Sequence, residues 1–373
     1  MSLEDLRDRL ARRRAELHAR GAVVLAGGSS AELDISLISG RAVASALEQA
    51  GLPAELLAVN HDDISFNPQL SSPMPAGTLA DGASATAAAA DEATEALNAI
   101  VPSSTPLIPR LRQGAVVFTT LHGTRGEDGV WQGLLELLDV PYVSANVKGS
   151  VLGMDKLIAK HLCRQYGVPT PQFWVLHAGQ ACRNLVPLEI TELVAKPTNQ
   201  GSSVGIEMVN NDDEGWARIA ALNQRFDPLL IEQRIYGREL TAGAIGFNAD
   251  PVALPLVEIS PRRAFYDYTA KYTSGESEYI CPAELPADVV NMVQAHALTI
   301  FHEFELEPYA RMDFILDADN QAWFLEANTL PGFTPLSLLP RAAKALGIEF
   351  TELLELLLLV ALERWEQRHG GAQ

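Results

Sequence analysis

Arg311-Met312-Asp313-Phe314-Ile315-Leu316, then Asp317-Ala318-Asp319-Asn320, then Gln321-Ala322-Trp323-Phe324-Leu325-Glu326-Ala327-Asn328 succeed one another in the C-terminal part of the chain. Two alternating runs around a cluster of turn residues predict a β-hairpin. With Asp319-Asn320 as a two-residue turn, Ala318 pairs with Gln321, Asp313 falls opposite Glu326 and Arg311 opposite Asn328. The side-chain period of two puts these four on one face and Met312, Phe314, Trp323 and Leu325 on the other. Carboxylates facing each other across a strand pair repel unless a positive charge lies between them. Asp313, Glu326 and the amide oxygen of Asn328 are hard oxygen donors, and a site completed by phosphates and water suits Mg²⁺. The same face could equally be a solvated one. Directly after the hairpin, Thr329-Leu330-Pro331-Gly332-Phe333-Thr334 reads as a turn whose backbone N–H groups can receive an anion.

Working outward, Leu193-Val194-Ala195-Lys196 predicts a strand that delivers a lysine to the small-residue loop Pro197 to Gly205. Backbone N–H groups around Gly201, Ser202, Ser203 and Gly205 can wrap phosphate oxygens. The lysine precedes the glycines, the reverse of a P-loop. Leu229-Leu230-Ile231-Glu232-Gln233 is an apolar strand running into the polar stretch Arg234 to Glu239, where backbone can meet an adenine edge and an acid the ribose. Each piece alone also reads as an ordinary turn or strand end.

Gly21 to Ser30 predicts a buried strand entering a glycine turn, and Ile35 to Leu47 the helix after it, a β-loop-α start. Residues 71–109 shift to Ala, Ser, Pro, Thr and Gly with one helix predicted over Ala87 to Ile100, and read as a surface insertion. Strands are predicted at Ala115 to Leu121 and Pro141 to Ser144, with a helix over Val130 to Leu138 between them. This completes a first α/β unit near residue 145. One helix is predicted over Ser150 to Tyr166, and a lid over Arg262 to Ile280. The resulting division is 1–145, 146–232 and 233–373.

The 373 residues carry a formal charge of -19, a field that repels nucleic acid and anionic membranes. Cys163, Cys182 and Cys281 lack metal-ligand spacing and fit a reducing compartment. The charged amphipathic N-terminal stretch lacks a secretory signal's apolar core, and Leu353 to Leu362 is too short to span a bilayer and predicts a buried helix. A cytoplasmic protein is expected.

Leu121-His122-Gly123, Gly126-Glu127-Asp128-Gly129, Gln132 to Glu136, Met154-Asp155-Lys156, the Lys196 to Gly205 loop, Phe265 to Tyr272, Arg311-Met312-Asp313 and Glu326-Ala327-Asn328-Thr329 resemble, in order and spacing, the blocks of D-alanine–D-alanine ligases. The resemblance covers nearly the whole chain apart from the N-terminal helix and the insertion. It implies an ATP-grasp fold of three α/β (α+β) domains, the first Rossmann-like, with ATP between the second and third. By resemblance Lys156 and Lys196 contact the ATP phosphates, joined by Ser202, Ser203 and Lys271. Glu232, Gln233 and Glu239 meet adenine and ribose. Asp313, Glu326 and Asn328 hold two Mg²⁺ ions, with Mn²⁺ an alternative.

Glu32, linked to Ser202 and Tyr272, takes the first amino acid's ammonium, and Arg311 and Gly332 stabilise an oxyanion. Ser337, with the Gly332 backbone, holds the second amino acid or the developing oxyanion. The implied protein is a homodimer that ligates two D-alanines through an acyl phosphate. A second substrate such as D-serine fits the same chemistry. Leu33 and Leu336 stand where the family often carries polar or basic residues, beside Glu32 and Ser337.

Overall fold

Ala22-Val23-Val24-Leu25-Ala26-Gly27 is apolar at every position, and in the computed structural model it forms strand β1 (Ala22–Gly27), buried along its whole length. The structure describes residues 3–28, 32–60, 65–67, 107–111, 113–180, 185–201, 204–246, 251–261 and 277–370. β1 lies parallel to β2 (Ala54–Asn60) on one side and to β4 (Val116–Thr119) on the other. β5 (Tyr142–Val143) extends the sheet beyond β4, and β3 (Ser65–Asn67) runs antiparallel on β2, giving the order β3-β2-β1-β4-β5.

Both faces of this sheet are covered, which is why its strands carry unbroken apolar runs. Ala22, Val24 and Ala26 face a core built with α1 (Leu3–Arg20), α2 (Leu33–Gln49) and the C-terminal helix α10 (Phe350–Gly370). Val23 and Leu25 face the other way, toward α3 (Leu107–Leu111) and Trp131 and Leu135 of α4 (Val130–Leu137). α10 contains the predicted buried run, with Leu353 through Leu362 all inaccessible. Among the described residues no helix is long and apolar enough to cross a membrane.

α1 buries Leu6, Leu10 and Leu17, and arginines flanking that stripe pair with α10 through Arg7–Glu352 at 2.6 Å, Arg13–Glu366 at 2.6 Å and Arg14–Glu355 at 2.7 Å. Farther along α10, the buried Arg364 guanidinium donates to the carbonyls of Tyr142 (2.8 Å), Ser144 (2.8 Å) and Glu307 (2.7 Å). One side chain thereby ties the edge of the first sheet to the segment just before the strand that opens the metal-candidate hairpin.

The helix expected over Ser150 to Tyr166 is two, α5 (Val147–Met154) and α6 (Lys156–Gln165). Asp155 leaves helical conformation at φ -82, ψ 99, and its carboxylate accepts from the amides of Leu157 (2.9 Å) and Ile158 (3.0 Å). It ends one helix and caps the next.

The middle sheet is antiparallel, in the order β6 (Phe173–Leu176), β9 (Leu229–Gln233), β7 (Glu192–Pro197), β8 (Glu207–Asn210). Trp216, Ile219 and Leu222 of α7 (Asp213–Asn223) close its core. The third sheet runs β13 (Ser277–Ile280), β12 (Val257–Pro261), β10 (Arg238–Ile245), β14 (Tyr309–Leu316), β15 (Ala322–Asn328), with β11 (Val252–Ala253) on β10. α8 (Ala287–Glu303) packs Val293, Ala297 and Phe301 onto Leu240, Ala242, Met312 and Phe324. Helix α9 (Leu338–Ala345) comes after the hairpin. Of the expected lid, residues 277–280 are strand β13 paired to β12, and the remainder lies outside the described residues, as do the insertion up to residue 106 and its predicted helix.

The hairpin forms with Asp313 opposite Glu326 and Arg311 opposite Asn328, as expected, but by a different route. Asp317 N donates to Gln321 O at 3.0 Å, so the connection is longer by one residue than a two-residue turn, with Asn320 in left-handed conformation at φ 61. Phe314 consequently pairs with Phe324 and Ile315 with Trp323. A register shift between Asp313 and Phe314, with Leu325 as the extra residue, restores the expected pairing at the open end. Trp323 is therefore not on the core face; Phe324 is, and Trp323 Nε1 donates to Asp317 Oδ2 at 2.7 Å.

Replacing Arg364 by Met strands three carbonyl acceptors. The Arg364→Met variant should lose roughly 3–5 kcal/mol of unfolding free energy in urea titrations, and Arg364→Lys less. A midpoint unchanged in both would show that the three bonds do not hold these elements together.

Candidate active site

The open end of the hairpin gathers charge on one face. Asp313 receives a bidentate pair from its strand neighbour Arg311, Nε to Oδ1 and Nη2 to Oδ2, both 2.9 Å. Thr241 on β10, opposite Asp313 in the ladder, donates its hydroxyl to Oδ1 at 2.6 Å. Glu326 faces Lys156, Oε2 to Nζ 3.1 Å. Each acid thus has a cation at its side, as two facing carboxylates require. Among the described residues no group of three or more His, Cys, Asp or Glu side chains is assembled for a metal. Mg²⁺ takes one or two carboxylates and fills the rest of its octahedron with water and phosphate oxygens. Asp313, Glu326 and Asn328 match that donor set.

Lys156 reaches this place because of the break at Asp155. Its backbone N donates to Thr198 O at 2.9 Å, and its Nζ to Gln200 O at 2.8 Å. The first turn of α6 is thereby bonded to the small-residue loop that succeeds β7. Close approach is needed on the other side as well: a Cβ on Gly153 would come 2.5 Å from Thr329 Cγ2, where the hairpin ends.

Lys196, at the end of β7, is buried and pairs with Glu232 of β9, Nζ to Oε2 2.7 Å. The other oxygen of Glu232 meets Lys160 of α6, a residue with no solvent exposure at all. Burial alone would raise Glu232, but the two ammonium groups outweigh it and hold the carboxyl below its usual range. Burial pushes Lys160 down to about 8 against the pull of Glu232, and Lys196 adds repulsion. Glu239, at the start of β10, is partly buried two residues from Thr241 on the same side of the strand.

The first sheet supplies the opposite wall. Glu32 occupies the N-cap position of α2, where its backbone carbonyl accepts from Ser36 N at 3.0 Å but its side chain makes no cap bond; a Cβ on Gly201 would lie 3.4 Å from its Oε2. Its charge is felt by His122 and Glu127, both buried. Burial lowers His122 against the opposing pull of Glu32 and of a hydrogen bond to the Leu330 backbone. Burial, then the Glu32 charge, push Glu127 up to about 8, opposed by Gly123 N–H at 2.7 Å and by Lys156.

Beyond the hairpin, Ser337 stands at the N-cap of α9. Its Oγ accepts from Thr334 N at 3.0 Å and lies 3.6 Å from where a Cβ of Gly332 would be. Phe333 N donates to Ser39 Oγ of α2 at 3.1 Å, tying this turn to the helix that begins at Glu32.

Asp313, Glu326, Asn328, Arg311, Lys156, Lys196, Glu232, Gln233, Glu239, Glu32, Gly332 and Ser337 are all among the described residues. Ser202, Ser203, Lys271 and Tyr272 lie outside them. Lys160, Thr241 and the buried pair His122 and Glu127 are not marked as functional by the sequence. His122 and Glu127 do fall inside motif blocks, whereas Lys160 carries no signal beyond its four-residue spacing from Lys156.

Two family models match the chain: the D-ala D-ala ligase N-terminus over residues 22–145 and the D-ala D-ala ligase C-terminus over residues 162–359. The chain belongs to the D-alanine–D-alanine ligase family. It is similar to the D-alanine–D-alanine ligase of Bordetella petrii, at 39% identity over 346 residues covering 92% of each chain. The ligase of Pelotomaculum thermopropionicum is 40% identical over 268 residues, 69% of this chain and 84% of its own. The structure of the D-alanine–D-alanine ligase from Coxiella burnetii superposes with a TM-score of 0.73 at 27% identity, covering 94% of this chain and 97% of that one. As a member of this family the chain is an ATP-dependent ligase built on the ATP-grasp fold.

Glu127 makes the stability of the ligand-free ligase depend on pH. With a folded value near 8 against 4.5 unperturbed, the native state keeps a proton that the unfolded chain has released across that window. The stabilisation is complete below about pH 4.5 and lost as pH rises toward 8, at up to about 1.4 kcal/mol per pH unit. Glu127→Gln, which can still accept from Gly123 N–H, should flatten that decline in unfolding midpoints measured from pH 5 to 8. Parallel wild-type and variant curves would contradict a neutral buried Glu127.

Proposed function

We propose that this ligase joins two molecules of D-alanine into D-alanyl-D-alanine, at the expense of ATP, for the peptidoglycan precursor. The observation that carries this reading is the Lys156 ammonium, which bridges Glu326 (3.1 Å) and the Gln200 carbonyl (2.8 Å). One cation thereby joins an acid suited to a metal with a loop suited to phosphates, on the side of the site where Glu32 approaches Gly201.

In this reading Glu32 takes the ammonium of the first D-alanine, with Ser202 and Tyr272 completing that clamp. Its carboxylate attacks the γ-phosphorus of ATP and ADP leaves, giving an acyl phosphate. Lys156 and Lys196, with Ser202, Ser203 and Lys271, hold the phosphates, and Glu232, Gln233 and Glu239 hold adenine and ribose. Divalent ions, Mg²⁺ or Mn²⁺, on Asp313, Glu326 and Asn328 supply charge neutralisation when bound. The amine of the second D-alanine, with Ser337 at its carboxylate beside the positive end of α9, attacks the acyl carbonyl.

Arg311 and the Gly332 N–H receive the developing oxyanion, a contribution worth about a hundredfold or more in rate. Arg311 is bonded to Asp313 here, so drawing Asp313 to a cation leaves the guanidinium for the substrate. Phosphate then departs as the amide forms. We further propose that the chain works as three units, 1–145, 146–232 and 233–373, each built round one of the three sheets. We propose as well that it is a homodimer in the cytoplasm.

Purified protein with ATP, Mg²⁺ and D-alanine should release ADP and phosphate in step with dipeptide. Competition among D-alanine, D-serine, D-lactate and L-alanine should favour D-alanine at both positions; preference for D-serine as the second substrate would redirect the assignment. Glu326→Ala should reduce turnover by at least about a hundredfold, comparable to loss of a principal electrostatic group. Turnover close to wild type would remove Glu326 from the metal site.

A further inference from the structure

Lys160 is the most deeply buried charge near the nucleotide site, and the proposed reaction gives it no role. Taking an ammonium out of water is costly unless every donor is used. Its partners come from three separate segments. They are Glu232 on β9, Thr170 Oγ1 at 2.8 Å in the connection before β6, and the carbonyl of Phe324 on β15 at 3.2 Å. Thr170 passes the chain of bonds onward, donating to the same Phe324 carbonyl at 3.0 Å, and Phe324 N donates to Pro169 O at 2.8 Å.

Phe324 is the last residue in the turn-side register of the hairpin. Leu325 after it is the extra residue of the bulge, and Glu326 resumes pairing opposite Asp313. β15 ends its sheet, so the outward backbone groups of Phe324 bond to segment 160–170 instead of to another strand. Without the bulge, Glu326 would turn to the core face, because a one-residue slip inverts every side chain beyond it. The contacts of Lys160 and Thr170 therefore fall where the direction of Glu326 is decided, while the same ammonium orients Glu232.

We infer that Lys160 is a positioning residue holding the two ends of the nucleotide site in one frame, Glu232 at the base end and, with Thr170, the bulge that delivers Glu326 at the metal end. The inference rests on the proposed roles of Glu232 and Glu326. Its simplest competitor is a buried ion pair that contributes only to stability. Apolar replacement of such a pair is often neutral or stabilising, and a pair with that role alone would leave ligand binding by the folded protein unchanged.

Two binding measurements on the full chain, neither needing turnover, separate these. One is the affinity for ADP in EDTA, which uses the base end without metal. The other is the Mg²⁺ concentration that half-saturates binding of a non-hydrolysable ATP analogue. Thr170→Val keeps the Lys160–Glu232 pair and removes a hydroxyl from Phe324. It should bind ADP as wild type does but need about tenfold more Mg²⁺, the range for an outer-shell partner of a metal ligand. Lys160→Gln should weaken both by about tenfold or more, and Lys160→Arg should recover ADP affinity.

Folded Thr170→Val and Lys160→Gln proteins with wild-type values in both measurements would overturn the inference. If Lys160→Gln does not fold, Thr170→Val decides the metal end and Lys160→Arg the base end, where unchanged Mg²⁺ demand in the first or unrecovered ADP affinity in the second overturns that half. Glu232→Gln and Glu326→Gln serve as controls. Should these leave ADP affinity and Mg²⁺ demand unchanged, it is the reading of the site that fails and not the role of Lys160.

Discussion

Two carboxylates opposite one another on neighbouring strands set the terms for everything built around them. Asp313 and Glu326 cannot share a face of the hairpin without cations, and the fold brings one to each: Arg311 from the same strand and Lys156 from the start of α6. Arg311 is there by the two-residue period of its own strand, but Lys156 is not placed by local sequence. Lys156 arrives because Asp155 breaks a helix and starts another, and because Gly153 lets α5 approach Thr329. The repulsion is thus a device that couples the third sheet to the loop above the second. In the proposed reaction a cation that took over Asp313 and Glu326 would release Arg311 and Lys156 toward substrate oxygens, so that ground-state pairing and catalysis would use the same groups.

The amino-acid pattern disclosed the pairing at the hairpin's open end, yet the path to it contained two departures that cancel. The connection is one residue longer than a two-residue turn, and the bulge at Leu325 gives that residue back. Alternation is a local signal, and a bulge interrupts it without leaving a glycine or proline behind, so alternation alone places Trp323 on the wrong face. Asp155 was legible in principle, as an N-cap residue inside an apolar run with Gly153 two residues before it, but a single glycine is tolerated within a helix and a continuous helix is the simpler reading. The parallel sheet was readable from its unbroken apolar strands, because burial on both faces leaves no polar positions.

Lys160 and Glu127 mark the other limit. A lysine four residues after another lysine on a polar helix looks like a solvated face, and only the arrival of β9 and β15 makes it an interior charge. Glu127 likewise becomes a neutral acid only once Glu32 and the burial around Gly123 surround it. Long-range assembly decides the chemistry of both. Residues that sit within a recognisable local pattern are easier to find, which is why Lys196, ahead of a small-residue loop, and Asp313, in a hairpin, stand out in the sequence and Lys160 does not.

α10 has a consequence for how the molecule comes into being. Leu353 to Leu362 form one side of the core under β1, and Arg364 clasps the carbonyls of Tyr142 and Ser144. During synthesis the first sheet emerges long before this helix, and its apolar face, which α1 and α2 cover only in part, is not closed until residue 370 has left the ribosome. N-terminal units of many proteins can fold as they are made. Here the earliest strands must wait for the latest helix, and in that interval their uncovered surface is what a chaperone would meet.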